Sequence, residues 1–261
     1  MLLFPRPCLG GRQGLYCYPQ FFKKILYHGL IDLCYNQNMS IRKTSFAPGE
    51  FYHIYNRGNG KREIFHDQWD YSHFLKILNL FNNKENHCLR YESGNFFIPN
   101  LKTELVSIGG YCLMPNHFHL LVTEKEEGGI SRFMQKLSTG YVMYYNQKYK
   151  RTGSLFEGKF KSEHVGNDKY LKYLFSYIHL NPVKLVEPKW KTKGVMDQTR
   201  VLEFLNGYEY SSYKKYLTDE DKYNILDTSA FPEYFPTKES FKKEIFEWLN
   251  YEKDGLDREG G

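Results

Sequence analysis

The chain has 261 residues, enough for one sizeable domain with appendages rather than several independent domains. Its 41% hydrophobic content supplies a real core, while five cysteines (Cys8, Cys17, Cys34, Cys88, Cys112) without a CxxC spacing argue against a disulfide framework or a cysteine-zinc site and fit a reducing compartment. The net charge of +6 divides into +3 over residues 1–38, about +7 over 39–213 and −4 over 214–261, which suits a polyanionic partner for the middle of the chain, although an ordinary basic surface has the same charge.

Residues 1–38 show no clear period, and Tyr16–Tyr35 is a poor membrane span because Lys23 and Lys24 interrupt it. The opening residues also lack the charged-then-apolar order of a signal peptide. The style changes at Met39, which is expected to be the true start, with 1–38 an extension. Phe51–Arg57 reads as a strand closed by Gly58-Asn-Gly60. From Asp67 to about Asn82 the spacing is helical, with Phe74, Ile77, Leu78 and Phe81 on one side. A polar stretch follows, then strands over about Glu104–Leu113 and His117–Thr123, joined at Met114-Pro-Asn116. A long amphipathic helix spans about Ile130–Tyr149, and a fourth strand about Leu155–Val165. Asn167 then caps a helix that stops before Pro182, a residue that disfavours helical geometry at its predecessor. The order βαββαβ plus a helix predicts an α+β, ferredoxin-like antiparallel sheet of order 4-1-3-2, with its third strand central. Residues 39–213 form the expected domain, and the acidic remainder 214–261 is expected to be an appendage ending in an amphipathic helix near Phe241–Tyr251.

Two groups of residues can carry chemistry. In His117-Phe118-His119 the alternation of a strand sends both imidazoles to one face and Phe118 to the other. Such a pair can hold a divalent cation, yet two histidines on a strand are more often incidental. In Tyr177-Ile-His-Leu-Asn181-Pro182, a spacing of four puts Tyr177 and Asn181 on one helix face. Tyr177 is also readable as a core tyrosine. Taken together, the predicted topology can fold the Tyr177 helix across the central strand, bringing a phenol near a cation on His117 and His119 with the Asn181 carbonyl oxygen as third ligand. That set suits phosphoryl transfer.

The strings Phe51-Tyr-His-Ile-Tyr-Asn-Arg-Gly58, Met114-Pro-Asn-His-Phe-His119, Phe133-Met-Gln-Lys-Leu137 with Tyr145-Asn146, and Tyr177-Ile-His-Leu-Asn-Pro-Val-Lys184 give the sequence a family likeness over roughly residues 46–213. It resembles the HUH-type single-tyrosine transposases, in particular the REP-associated tyrosine transposase branch. The resemblance implies that His117 and His119 bind Mg²⁺ or Mn²⁺, that Asn181 completes the metal site and that Tyr177 is the nucleophile. It implies action on single-stranded DNA near small hairpins, through a 5′-phosphotyrosine and a free 3′-OH, in the cytoplasm at the nucleoid. Some relatives pair the tyrosine helix of one copy with the metal site of another, which leaves a homodimer open.

Tyr141, Tyr144 and Tyr145 are rival nucleophiles, discounted for their core-like spacing and for lying outside the family motif. Arg57, Lys148, Lys150, Arg151, Lys159 and Lys161 are candidate phosphate contacts, equally readable as a solvated basic loop. His164 and His179 receive no role. The competing functional reading is a domesticated, inactive hairpin DNA- or RNA-binding protein on the same scaffold. A third is an RNA-binding or toxin-like nuclease, which calls for stacking aromatics in place of a metal pair.

Overall fold

The computed structural model describes residues 45–85 and 103–250, with the backbone of two short strands between them. The expected N-terminal extension 1–38, Met39, Cys8, Cys17, Cys34, Cys88 and the end of the last helix at Tyr251 lie outside the described residues.

Strand β1 (Phe51–Arg57) leads through a 3-10 turn at Asn59–Lys61 to helix α1 (Gln68–Phe81). Asp67 caps that helix, its carboxylate accepting from the backbone of Trp69 and Asp70. A small hairpin, β2 (Arg90–Glu92) and β3 (Asn95–Phe97), falls within the polar stretch that follows α1. Strands β4 (Val106–Met114) and β5 (His117–Glu124) then form a tight hairpin, and helix α2 (Gly129–Lys148) follows. Gly128 precedes α2 at φ 76, a left-handed conformation that costs glycine little.

The fourth strand of the sheet, β6, covers only Lys161–His164, not the expected 155–165. Leu155 and Phe156 are apolar because they plug the core, at 1% and 5% exposure; Phe156 makes an isolated bridge to Gly58, and Gly158 at φ 116 interrupts the run between that bridge and β6. Asn167 caps helix α3 (Asp168–Leu180) as expected, accepting from the Tyr170 N–H at 2.8 Å. The helix ends before Pro182, but Asn181 keeps helical angles (φ −54, ψ −41), so the conformational reason expected for the stop does not hold. The break comes from the N–H that Pro182 lacks. The chain continues directly into the short helices α4 (Val183–Val186) and α5 (Trp190–Lys193), then α6 (Gln198–Gly207), α7 (Tyr213–Thr218) and α8 (Lys238–Asn250).

The sheet is wholly antiparallel in the order β4-β5-β1-β6, which is the ferredoxin-like order expected, with β5 central. Its two faces are covered differently. Tyr52, Ile54, Tyr111, Leu113, Phe118, Leu120 and Val122 face α1 and α2 and form the main core with Phe74, Leu78, Phe133, Leu137 and Tyr141. On the other face Cys112, Met114 and Leu121 pack against Leu171, Leu174, Phe175 and Ile178 of α3. Because α3 covers β4 and one end of β5 with apolar side chains, its Tyr177 edge is left over the polar half of the sheet.

The edge of β4 is closed by the segment after α6. Ser212 donates its backbone N–H to the Tyr111 carbonyl (3.0 Å), and the Tyr208 hydroxyl donates to the Leu113 carbonyl (2.6 Å). Covering a bare edge in this way prevents strand addition by another chain. The acidic segment beyond residue 214 contributes to this packing: Phe241, Ile245 and Leu249 of α8 are buried with Leu180, Val183, Val201 and Tyr213. Among the described residues no helix is long and apolar enough to cross a membrane.

Candidate active site

Strand register assembles the site. His119 on β5 lies opposite Tyr55 on β1, and His53, two residues back, lies opposite Glu163 on β6. With the period of two, His53, Tyr55, Arg57, His117, His119 and Glu163 share one face of the sheet. Phe118 points to the other face and is fully buried in the core, which fixes the strand against rotation.

The expected pair comes together. The rings of His117 and His119 lie 5.0 Å apart between centroids at 90°. Across them stands Tyr177, its ring 5.6 Å from that of His119 at 83° and 5.9 Å from that of His53 at 79°. Asn181, one turn further along α3, donates from Nδ2 to the Tyr177 carbonyl (3.0 Å), which leaves its Oδ1 buried and without a hydrogen-bond partner. An orphaned buried amide oxygen is costly unless something binds it.

Burial dominates the electrostatics. It pushes His117 down to about 4, assisted by the charges of Lys184 and Arg57, and holds His119 well below the ordinary imidazole range, assisted by His53 and His117. Both rings are therefore neutral at physiological pH and keep a lone pair for a cation. Burial also raises the Tyr177 phenol above its usual 10, with the Asn181 side chain pulling it partly back. The Lys191 ammonium sits 4.5 Å over the Tyr177 ring, a cation–π contact. Among the described residues no group of three or more His, Cys, Asp or Glu side chains could hold a metal ion. The donor set available to a cation is thus two neutral imidazoles and one amide oxygen, with remaining positions for water or phosphate. With positions left open, that set differs from a closed, four-coordinate structural zinc site.

The rival tyrosines are placed elsewhere. Tyr141 and Tyr145 are buried, at 0% and 3% exposure, and the Tyr141 hydroxyl donates to the Ile64 carbonyl. Tyr144 donates to Asp70 at 2.9 Å. All three lie on α2, across the sheet from the histidines.

The candidate phosphate contacts divide. Arg57 forms a two-pronged ion pair with Glu157, and Lys148 is held by Asp67 and the buried Asp70 (2.6 Å), so both charges are matched within the fold. Lys150 adopts φ 51 at the end of α2, and the Arg151 guanidinium lies 5.7 Å over the Tyr145 ring. Lys159 and Lys161 are exposed, and Lys161, opposite Tyr55, is the one that shares the site's face. His164 pairs with Glu50 at 2.6 Å. His179 is fully buried, its Nε2 2.7 Å from the Ser212 hydroxyl.

Four side chains at the site escaped the sequence reading: His53, Glu163, Lys184 and Lys191. The alternation within Phe51–Arg57 was a usable signal for His53, since it places that residue on the same strand face as Tyr55.

The family model for IS200-like transposases matches residues 51–181, half of the chain. The chain belongs to the IS200-like transposase family. The matched span opens at the first residue of β1 and closes at Asn181, so it contains every residue of the candidate site described above except Lys184 and Lys191. Among solved structures, a REP-associated tyrosine transposase bound to a REP hairpin is similar to this transposase at 14% identity, covering 74% of this chain and 98% of that one with a TM-score of 0.43. No curated protein matches the chain.

Proposed function

We propose that this transposase cleaves and rejoins single-stranded DNA near hairpins, with Tyr177 as nucleophile and His117, His119 and Asn181 as the residues that hold Mg²⁺ or Mn²⁺. The observation that carries this reading is the placement of the Tyr177 ring against His119, beside a buried Asn181 Oδ1 that no protein group satisfies.

The chemistry follows from the groups present. A bound divalent cation supplies a Lewis acid for the scissile phosphate. Tyr177 Oη attacks phosphorus and loses its proton to solvent; the bond to the 3′ oxygen breaks, and that oxygen takes up a proton. The products are a 5′-phosphotyrosine on Tyr177 and a free 3′-OH. Phosphodiester energy is retained in the tyrosyl ester, so attack by a DNA 3′-OH reverses the step and joins strands without a nucleotide cofactor. Lys191, over the phenol, adds positive charge where the phosphate must sit. The basic middle of the chain favours a polyanion, and the DNA substrate places the protein at the nucleoid. Tyrosine and histidines face one another within one chain, so a single copy has the complete set; a homodimer is not needed for it.

The test is incubation of labelled single-stranded DNA hairpins with the protein and Mn²⁺, followed by a denaturing gel. A covalent protein–DNA band that chelation abolishes, and that Tyr177→Phe fails to form while still binding the DNA, supports the reading. Cleavage without an adduct would overturn it.

A further inference from the structure

We propose that His53 and Glu163 are positioning residues that fix the orientation and tautomer of His119 as a cation ligand; this rests on the metal-site reading given above. His53 is 5% exposed, and its Nε2 lies 2.8 Å from His119 Nδ1, the two rings stacked at 5.0 Å and 20°. At that distance one nitrogen must carry the proton and the other accept it. Which one is decided on the far side of His53. Its Nδ1 is buried, has no hydrogen-bond partner and faces Glu163 Oε2 at 3.8 Å.

A lone pair aimed at a carboxylate in a buried site is repelled, whereas an N–H there is attracted. The proton of His53 therefore belongs on Nδ1, and its Nε2 is the acceptor. His119 must then donate from Nδ1, which leaves its lone pair on Nε2. The carboxylate is itself held in place: Tyr55 donates to Glu163 Oε1 at 2.8 Å, and Tyr170 donates to Oε2 at 3.4 Å. Tyr170 belongs to α3, so the helix that carries Tyr177 also anchors the far end of the chain Glu163–His53–His119.

The neighbouring ligand is arranged in the same sense by a different partner. His117 Nδ1 lies 2.6 Å from Asn116 Oδ1, and Asn116 Nδ2 donates to the Lys61 carbonyl at 3.2 Å, so its Oδ1 is free to accept. His117 is thereby a donor at Nδ1 and keeps its lone pair on Nε2. Two unrelated devices produce the same tautomer at both imidazoles. That agreement has no structural purpose in a merely packed pair, but it is required if both rings bind one cation through Nε2.

The experiment titrates Mn²⁺ into the full chain and reads free Mn²⁺ by electron paramagnetic resonance, for wild type, His119→Ala, His53→Ala and His53→Gln. Long-range ¹H–¹⁵N spectra of the metal-free proteins report the His119 tautomer. Glutamine places an acceptor near the position of His53 Nε2, so it replaces the hydrogen bond without the ring. The expected result is loss of the site in His119→Ala, binding weakened by roughly 10- to 100-fold in His53→Ala, and recovery to within a few-fold of wild type in His53→Gln. His119 should be Nδ1-protonated in wild type and His53→Gln, and a tautomer mixture in His53→Ala. Should His119→Ala abolish binding while His53→Ala matches wild type, or should wild-type His119 carry its proton on Nε2, the positioning role is overturned and the metal site stands. Should His119→Ala leave binding unchanged, the metal-site reading itself fails and takes this inference with it.

Discussion

The ring of Tyr177 stands edge-on to that of His119, 5.6 Å away between centroids, although 58 residues separate them in the chain. That proximity depends on how α3 is fastened to the sheet. His179, two residues beyond Tyr177, bonds the Ser212 hydroxyl, which in turn accepts from the Tyr111 backbone N–H at 2.9 Å. The tyrosine helix is thus tied to β4 through a buried polar link, and the consequences can be measured.

Burial depresses His179 to about 3, so the ring is neutral in the folded chain. The unfolded chain takes up a proton near the ordinary imidazole pKa of about 6.5. Stability from this group is therefore fully present above about pH 6.5 and is lost as the pH falls toward 3. The urea midpoint should be level above pH 7 and drop steadily from pH 6.5 to 4, by on the order of a few kcal/mol in unfolding free energy. His179→Gln should flatten that slope. An unchanged slope in the variant would show that His179 does not titrate between the two states.

Lys148 was a candidate DNA contact, but it compensates the fully buried carboxylate of Asp70, which also accepts from Tyr144 and Tyr149 (2.7 Å). Lys148→Met should therefore cost about 1–3 kcal/mol of stability, since the buried Asp70 carboxylate loses its charged partner but keeps its other donors. The salt dependence of DNA binding should stay as in wild type. Equilibrium denaturation and binding isotherms at several salt concentrations separate the two effects.

Lys191 is the contrasting case. Its ammonium lies over the Tyr177 ring. Lys191→Gln should weaken single-stranded DNA binding and lower the slope of log K against log salt by about one. Stability should change by less than about 0.5 kcal/mol.

Gly129, at the start of α2, has a packing reason for lacking a side chain. A Cβ there would fall 2.3 Å from the Leu105 carbonyl oxygen, a backbone atom that cannot swing aside. Alanine would add about 1 kcal/mol of helix propensity, but the clash costs about 1–3 kcal/mol. Gly129→Ala should therefore be neutral to destabilising, by up to about 2 kcal/mol. A gain in stability by urea denaturation would contradict the close approach of α2 to the 105 strand entry.

Much of this fold is legible because its elements have clean periods. Phe74, Ile77 and Leu78 mark α1, and the alternation around Phe118 marks β5 as a strand with two different faces. The fourth strand misled, because Leu155 and Phe156 are buried ahead of it around an isolated bridge from Phe156 to Gly58, which leaves the same apolar signature as a continuous strand. Within the site, His117, His119, Tyr177 and Asn181 were accessible from their local motifs. The strand alternation gives the face of His53, but its meeting with Glu163 was not accessible, since nothing local sets them against each other across β1 and β6; that meeting is a product of strand register. The ion pairs that occupy Arg57 and Lys148 were hidden for the same reason: each partner lies at least 78 residues away.

The most direct test of the central claim is mass spectrometric mapping of the residue that becomes linked to DNA. After reaction with a hairpin substrate in Mn²⁺, nuclease trimming and proteolysis, the account predicts a nucleotide mass on the peptide spanning residues 173–184, localised by fragmentation to Tyr177 and not to Tyr173. Attachment at Tyr144, Tyr145 or any other side chain would contradict it.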